Sequence, residues 1–521
     1  MGLILNDAYV HLAFISLIML ISFVLLRRGK HLNLKEPPLV PYKYPIIGHT
    51  IDYYKDNENF IKKCHAEYGE IFSLYLFGKV QTFVGKELFP EVFRNHNDFC
   101  FNEAGRENFP LENFLNRPNE FTDTLPRMVQ INLSGQIKLY TERVQRQLIK
   151  SIDEMIENGK LFNLFGKVFV TFDSSTTQLI QIILVLEPPL KFFQFIIAKP
   201  IAATMVGEEL SDDKELVNSF ANVTTDFIPF LSITPVLNFI HPYLHQQVMI
   251  IVFKYLNNPF KMHRELIKKK ITPVIEKRLR EMKESGDNYV SPIDILQRYT
   301  ELLHKDYTID IDVVTDNMII SIFASVYNTS NSLTFCLHEL VNNPQFLKEI
   351  LEEQKQLYKS NEKSYYSTEQ IARMEKLDSF IKETLRVNVN NVALQHKTLS
   401  SYFTFSNGYQ VPKGRLVNIR LGEVHFDKEL QSQTADEFNA FRYLKKNSPA
   451  TRADNSFLTF GLGKHTCPGR HFAVNEIKVA LHYLLLNYDI KKSTSEKIKP
   501  KIYGSFKFPS DEGLIFEKKS V

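Results

Sequence analysis

The chain has 521 residues, 44% of them hydrophobic and 23% charged, with 41 phenylalanines and no tryptophan. That length supports a large core, and the composition is that of a globular protein. A net charge of +4 without a long basic block gives no case for nucleic acid, and four scattered cysteines without a C-x-x-C pair give none for a disulfide scaffold or a zinc site.

Residues 8–26, AYVHLAFISLIMLISFVLL, carry no Asp, Glu, Lys or Arg. They are just long enough for a bilayer core, which needs ~20 apolar residues. Arg27, Arg28 and Lys30 follow at once, which places the rest of the chain on the cytosolic side. No small-x-small cleavage site follows, so the segment is expected to remain as a single-pass anchor over residues 1–30. A stiff, extended hinge is expected over 31–48, because PPLVPYKYPIIG holds four prolines. One catalytic body is expected over 49–521.

The stretch GEIFSLYLFGKVQTFVG at 69–85 reads as a β-hairpin. Residues 125–390 read as mostly helical. Within them, 227–244 are very apolar, are broken by three prolines, and suit contact with a bilayer. A long apolar helix is predicted over 312–343, with the polar patch FASVYNTSNS inside it and a stop at Asn343-Pro344. Ser367-x-x-Gln370 is a capping-box pattern. In the next helix Glu383 and Arg386 share a face; on residues alone they read as a surface pair worth a few tenths of a kcal/mol. Short strands are predicted over 391–425, then a coil with FNAFRY at 438–443. A final helix follows, with Ala473, Ile477, Ala480, Leu481 and Leu484 on one stripe.

Cys467 stands before that helix, in FLTFGLGKHTCPGRHFA. Pro468 suits a first helical position. Helix N-termini and nearby cations, here Lys464, His465 and Arg470, favour a thiolate. Glycines at 461, 463 and 469 allow tight turns and close approach to a flat ligand. These surroundings do not suit an inert core thiol. A nucleophile would tolerate them, but no Cys/His/Asp constellation is evident.

The run from Phe460 to Gly469, FGLGKHTCPG, resembles the heme-binding loop of cytochrome P450 enzymes, F-x-x-G-x-R-x-C-x-G. His465 replaces the usual arginine, as in many fungal members, and the continuation CPGRHFAVNE is similar to theirs. The resemblance implies that Phe460, Gly463, His465 and Gly469 cradle heme b and that Cys467 is its axial thiolate, the ligand that favours O–O cleavage. Glu383-Thr384-Leu385-Arg386 resembles the family's E-x-x-R motif. Arg442 resembles the arginine that completes a buried Glu-Arg-Arg triad, which revises the surface reading of Glu383 and Arg386. The resemblance also implies propionate contacts, from Arg127 in place of a tryptophan-containing motif and from His396 in place of an arginine.

One departure concerns chemistry. The family's central helix usually carries an acid–alcohol pair that delivers protons. Here Tyr327 stands at the acid and Asn328 at the first threonine, with Thr329 one position on. A phenol with a reference pKa of ~10 relays protons poorly at neutral pH, which leaves Asn328 and Thr329 to hold a water.

The expected fold is therefore mainly α with small β-sheets (α+β), the cytochrome P450 fold preceded by a transmembrane helix. The expected function is a monooxygenase of the endoplasmic reticulum membrane, with its catalytic domain in the cytosol. Electrons would come from NADPH through NADPH-cytochrome P450 reductase, which Lys464 and Arg470 would help to dock. The substrate would be lipophilic: a sterol, steroid, terpenoid or fatty acid. PPLVPYKYPIIGH and EYGEIFS resemble the sterol-demethylase and bile-acid-hydroxylase branches. Tyr327-Asn328 motivates an alternative, a heme-thiolate isomerase or dehydratase of lipid peroxides; a non-catalytic heme protein is the other.

Overall fold

A computed structural model describes residues 33–108, 115, 124–157, 166–172, 179–231, 233–256, 258–359, 365–389, 393–503 and 506–519. The expected anchor at 1–30 lies outside the described residues.

Seven helices frame the site: α1 (Ile137–Glu157), α2 (Pro189–Val206), α3 (Lys214–Leu231), α4 (Pro259–Ser285), α5 (Ile311–Asn342), α6 (Glu375–Val387) and α7 (Arg470–Asn487). α2 packs on α1, α3 and α5. By length and composition α2 could cross a membrane, yet 83% of it is buried inside the protein, so it serves as a core helix. Its Phe193, Ile197 and Ile201 are fully buried. Burying each such side chain contributes about 1.5–3 kcal/mol. α5 starts where the Asp310 carboxylate accepts from the amides of Asp312 (2.9 Å) and Val313 (3.3 Å). It runs through FASVYNTSNS as unbroken helix. The expected polar interruption is absorbed because Ser325, Asn328, Ser330 and Thr334 each bond the carbonyl one turn back.

A five-stranded sheet carries β1 (Ile71–Leu76), β2 (Lys79–Val84), β3 (Phe99–Cys100), β4 (Ala393–Thr398) and β5 (Leu416–Arg420), in the order β1-β2-β5-β4-β3. β1 and β2 form the expected hairpin, Ile71 opposite Val84. β5 lies parallel to β2 and antiparallel to β4, with His396 opposite Val417. In the described part of the hinge Val40 N donates to Ser73 O at 3.0 Å, which seats it on β1, and residues 45–48 close a turn, Gly48 N donating to Tyr44 O at 2.7 Å. A second sheet joins Tyr488–Lys492, Leu514–Lys518, Leu179–Leu186 and Gly166–Phe172 in that order.

The segment at 227–244 divides into the end of α3, a 3-10 turn at Val236–Phe239 and the start of a helix at Leu244–Tyr255. The capping box forms as predicted: Ser367 Oγ accepts from Gln370 N, and the Gln370 side chain accepts from Ser367 N.

Candidate active site

α6 is buried on all sides from Leu377 to Arg386, so Glu383 and Arg386 lie inside although they stand off the apolar face of Leu377, Phe380 and Ile381. Arg386 donates from Nε and Nη2 to the two Glu383 oxygens at 2.8 Å each. Arg442 Nε donates to the same carboxylate at 3.0 Å, and Asn439 N adds a fourth donor at 2.8 Å. The remaining guanidinium hydrogens reach carbonyls. Arg386 bonds those of His425 (2.6 Å), Ala435 (2.8 Å) and Glu437 (3.1 Å). Arg442 bonds those of Gln431 (2.7 Å), Thr434 (2.7 Å) and Glu437 (2.8 Å). A buried carboxylate between two cations is stable only when its lone pairs and their protons are all used, and here they are. The triad thus pins the coil at 425–442 onto α6.

That coil leads to the cysteine loop. Gly461 (φ +72°) and Gly463 (φ +66°) take left-handed conformations, and a Cβ on Gly463 would sit 3.3 Å from Phe93 O. Cys467 N donates to Phe460 O at 2.7 Å, closing the loop. α7 begins at Arg470, with Gly469 at the N-cap. Pro468 is therefore not the first helical residue: it lies in the turn before, and its carbonyl accepts from the Ser134 hydroxyl. Gly469 has an ordinary φ of −89°. The Thr124–Val129 helix and the π-turn at Gln130–Ser134 form one wall of the loop, with Val129 Cγ1 3.9 Å from where a Gly469 Cβ would be.

The Cys467 sulfur takes the backbone N–H groups of Gly469 and Arg470, and the Arg470 guanidinium adds positive charge. Burial outweighs all three and pushes the thiol pKa up. The amides and Arg470 thus act toward the thiolate, as expected, and burial acts against them. Two amides and a cation lie beside the half-buried cysteine, and a thiol in such a place loses its proton readily to a metal cation. Arg470 is also tied down, donating to Thr451 O (3.0 Å) and Cys467 O (2.8 Å).

His396 sits on β4 and is buried. Its ring lies 5.2 Å from that of Phe93, 5.7 Å from Phe101 and 6.4 Å from His465. Neither ring nitrogen has a hydrogen-bond partner among the described residues. Burial, with a smaller effect of His465, pushes its pKa down to about 3. An imidazole held neutral with its N–H unanswered fits an acidic group of a ligand not made of protein. Arg127 is exposed on the Thr124–Val129 helix.

On α5, all of whose residues are described, Ala324 and Asn328 alone are exposed. They lie one turn apart, and Asn328 Nδ2 donates to Ala324 O at 2.8 Å. Tyr327 and Thr329 are buried, and burial pushes the Tyr327 phenol above its ordinary range. The open face therefore presents an amide carbonyl, Asn328 Oδ1, and no acid. Among the residues that sequence reasoning passed over is His425. No motif marks it, because its partners, Arg386 and Leu458, are set by the tertiary fold.

The sequence model of the cytochrome P450 family matches residues 188–515. The chain belongs to this family. It is similar to cytochrome P450 monooxygenase penP of Penicillium crustosum, 28% identical over 380 residues that cover 70% of this chain and 68% of that protein. It is similar to cytochrome P450 monooxygenase ptmP of Penicillium ochrochloron, 30% identical over 327 residues, covering 60% and 70%. It is also similar to cytochrome P450 monooxygenase 71 of Postia placenta, 33% identical over 230 residues, covering 42% and 45%. As a P450 the chain is a heme-thiolate monooxygenase with heme b as cofactor, and the half-buried Cys467, the glycine turns and the His396 nitrogens, unpartnered among the described residues, all fit that group.

Proposed function

We propose that this P450 inserts one oxygen atom from O₂ into a lipophilic small molecule at the membrane surface, with electrons from NADPH delivered by a flavoprotein reductase. The observation that carries the reading is Cys467: a half-buried cysteine beside the amides of Gly469 and Arg470, in a loop clamped to the Glu383–Arg386–Arg442 triad. Cys467 would hold the heme iron and His396 one propionate, with Arg127 the candidate for the other. When bound, the heme supplies the iron at which O₂ is activated.

The protein's own part is positioning and proton handling. The triad and the glycine turns fix the sulfur. The exposed Asn328 Oδ1 accepts a hydrogen bond from a water at the open face of α5, while Thr329, expected to share that water, is buried beside it. Tyr327, buried with a raised pKa, does not share that task.

Membrane contact is supported by an apolar side. Ile46 (65% exposed), Ile233 (46%), Val236 (55%) and Ile240 (71%) are all open to solvent. Tyr54 OH bonds Thr234 Oγ1 at 3.3 Å, which brings the strap after α3 against the helix that follows the hinge. An anchor at 1–30 joined through the hinge would hold this side against the endoplasmic reticulum membrane, with the body in the cytosol. On the outside of the cysteine loop lies a depression of 520 Å³ lined by Pro449, Thr451, Arg452, Leu462, Gly463 and Arg470. With the exposed Lys464 beside it, this depression suits an acidic reductase.

The test is oxygen tracing. The chain is reconstituted with a flavoprotein reductase, NADPH and labelled O₂, against sterols, terpenoids, fatty acids and lipid hydroperoxides. One labelled atom per NADPH in one product supports the proposal. Turnover of hydroperoxides alone, without label or NADPH, would replace it with an isomerase, the reading that the acid-free face of α5 favours.

A further inference from the structure

Between the triad and the cysteine loop stands His425, the last residue of a short helix at Leu421–His425 that follows β5. It is fully buried, as is Leu458 at the entrance of the loop. Leu458 N donates to His425 Nε2 at 3.0 Å. A backbone amide can only donate, so Nε2 carries no proton and the ring hydrogen sits on Nδ1. Nδ1 then donates to Arg386 O at 3.1 Å, while Arg386 Nη1 donates to His425 O at 2.6 Å. The ring also stacks on Phe457, 5.5 Å away at 15°. Burial and the cations Arg386, Lys507 and Lys382 push its pKa down to about 3 against the hydrogen bond to Arg386 O, so the accepting nitrogen stays unprotonated.

We propose that His425 is a positioning residue for the heme-binding cysteine loop: its imidazole bridges Arg386 of the triad to the Leu458 amide and so fixes the start of the turn that ends at Cys467. The proposal rests on the reading of Cys467 as the heme ligand. The path from the bridge to the sulfur is short. Gly461 N donates to Leu458 O at 2.8 Å, and Cys467 N donates to Phe460 O at 2.7 Å. Other ties hold the flanks, from Gln431 to Ser456 O and from Thr459 Oγ1 to Leu385 O (3.3 Å), but the Leu458 amide has His425 as its acceptor. Without that nitrogen a buried N–H is left unanswered at the hinge of the loop.

The two hydrogen bonds can be separated by substitution. Asparagine places its amide nitrogen near Nδ1 and retains the donor to Arg386 O. Glutamine reaches the place of Nε2 and retains an acceptor for Leu458. The experiment uses the full heme-loaded chain. Hydrogen exchange is followed by mass spectrometry in peptides spanning 456–467 and in α2, and the carbon monoxide spectrum of the reduced protein is recorded beside it. His425→Ala and His425→Asn are expected to speed exchange in 456–467 by about tenfold or more, the effect of a lost buried hydrogen bond. Exchange in α2 is expected to stay unchanged, and part of the strongly red-shifted thiolate Soret band is expected to be lost. His425→Gln is expected to restore both readouts. Wild-type exchange and a full thiolate band in His425→Asn would overturn the proposal, as would a uniform speed-up across the chain or a glutamine variant as impaired as asparagine. If His425→Ala does not fold, the asparagine–glutamine pair decides. A wild-type protein without the thiolate band would instead sink the heme-thiolate reading, whatever the exchange shows.

Discussion

Arg386 and Glu383 meet as a parallel pair, Nε and Nη2 on the two carboxylate oxygens at 2.8 Å each, with both side chains fully excluded from water. Arg442 shares the carboxylate. Removing the negative member leaves two buried guanidinium groups uncompensated. Glu383→Gln is therefore expected to lower stability by about 3–5 kcal/mol and to abolish heme retention, measured by denaturant unfolding and by the heme-to-protein absorbance ratio. Full heme occupancy in that variant would mean the triad does not hold the loop.

The glycines of the loop are not equivalent. Gly463 has φ +66° and no room toward Phe93 O, whereas Gly469 has φ −89° and only a 3.9 Å contact to Val129. Gly463→Ala is expected to lower the unfolding free energy by about 1–2 kcal/mol, the strain of a left-handed L-residue. Gly469→Ala is expected to stay within about 0.5 kcal/mol. Equal losses would show that the motif's spacing, not its backbone geometry, sets the requirement.

On α5 the exposed and buried neighbours should respond oppositely. Asn328→Ala leaves the fold intact and lowers product formed per NADPH, because the open face loses its only polar side chain. Tyr327→Phe leaves that ratio within about twofold, the phenol being buried and held protonated. Tyr327→Asp, which restores the family's usual acid, instead buries a carboxylate and destabilises the chain by several kcal/mol. Melting curves beside product-to-NADPH ratios separate the three cases.

Acid sensitivity follows from buried imidazoles. Burial pushes the pKa of His338 down to about 4, against an ordinary 6.5. Between these values the unfolded chain binds a proton that the folded chain does not, so stability rises with pH across that window and is lost as pH falls from about 6.5 toward 4. His338→Leu is expected to lessen the fall in melting temperature between pH 7 and 4, the other buried imidazoles keeping the remainder. An unchanged profile would remove His338 as a cause.

Local patterns in the sequence carried much of this. The hairpin at 71–84, the capping box at Ser367, the long helix ending at Asn342 and the cysteine loop all rest on neighbours in the chain, which is why spacing alone reveals them. Glu383 and Arg386 illustrate the limit. Their i,i+3 spacing shows a shared face but not whether that face meets water, and the resemblance to a family, not the pattern, pointed inward. The sulfur of Cys467 shows the same limit: the Arg470 charge is adjacent in sequence, while the burial that opposes it comes from the whole fold. The wall formed by Val129 and Ser134, and the bridge through His425, join segments more than thirty residues apart and leave no local mark.

The most direct measurement is the carbon monoxide spectrum of the reduced protein, wild type against Cys467→Ala. The strongly red-shifted Soret band of thiolate ligation in the wild type, and its loss in the variant, is the expected result. The same band surviving in Cys467→Ala would contradict the assignment of Cys467 as the iron ligand, and with it the account of why the loop is built as it is.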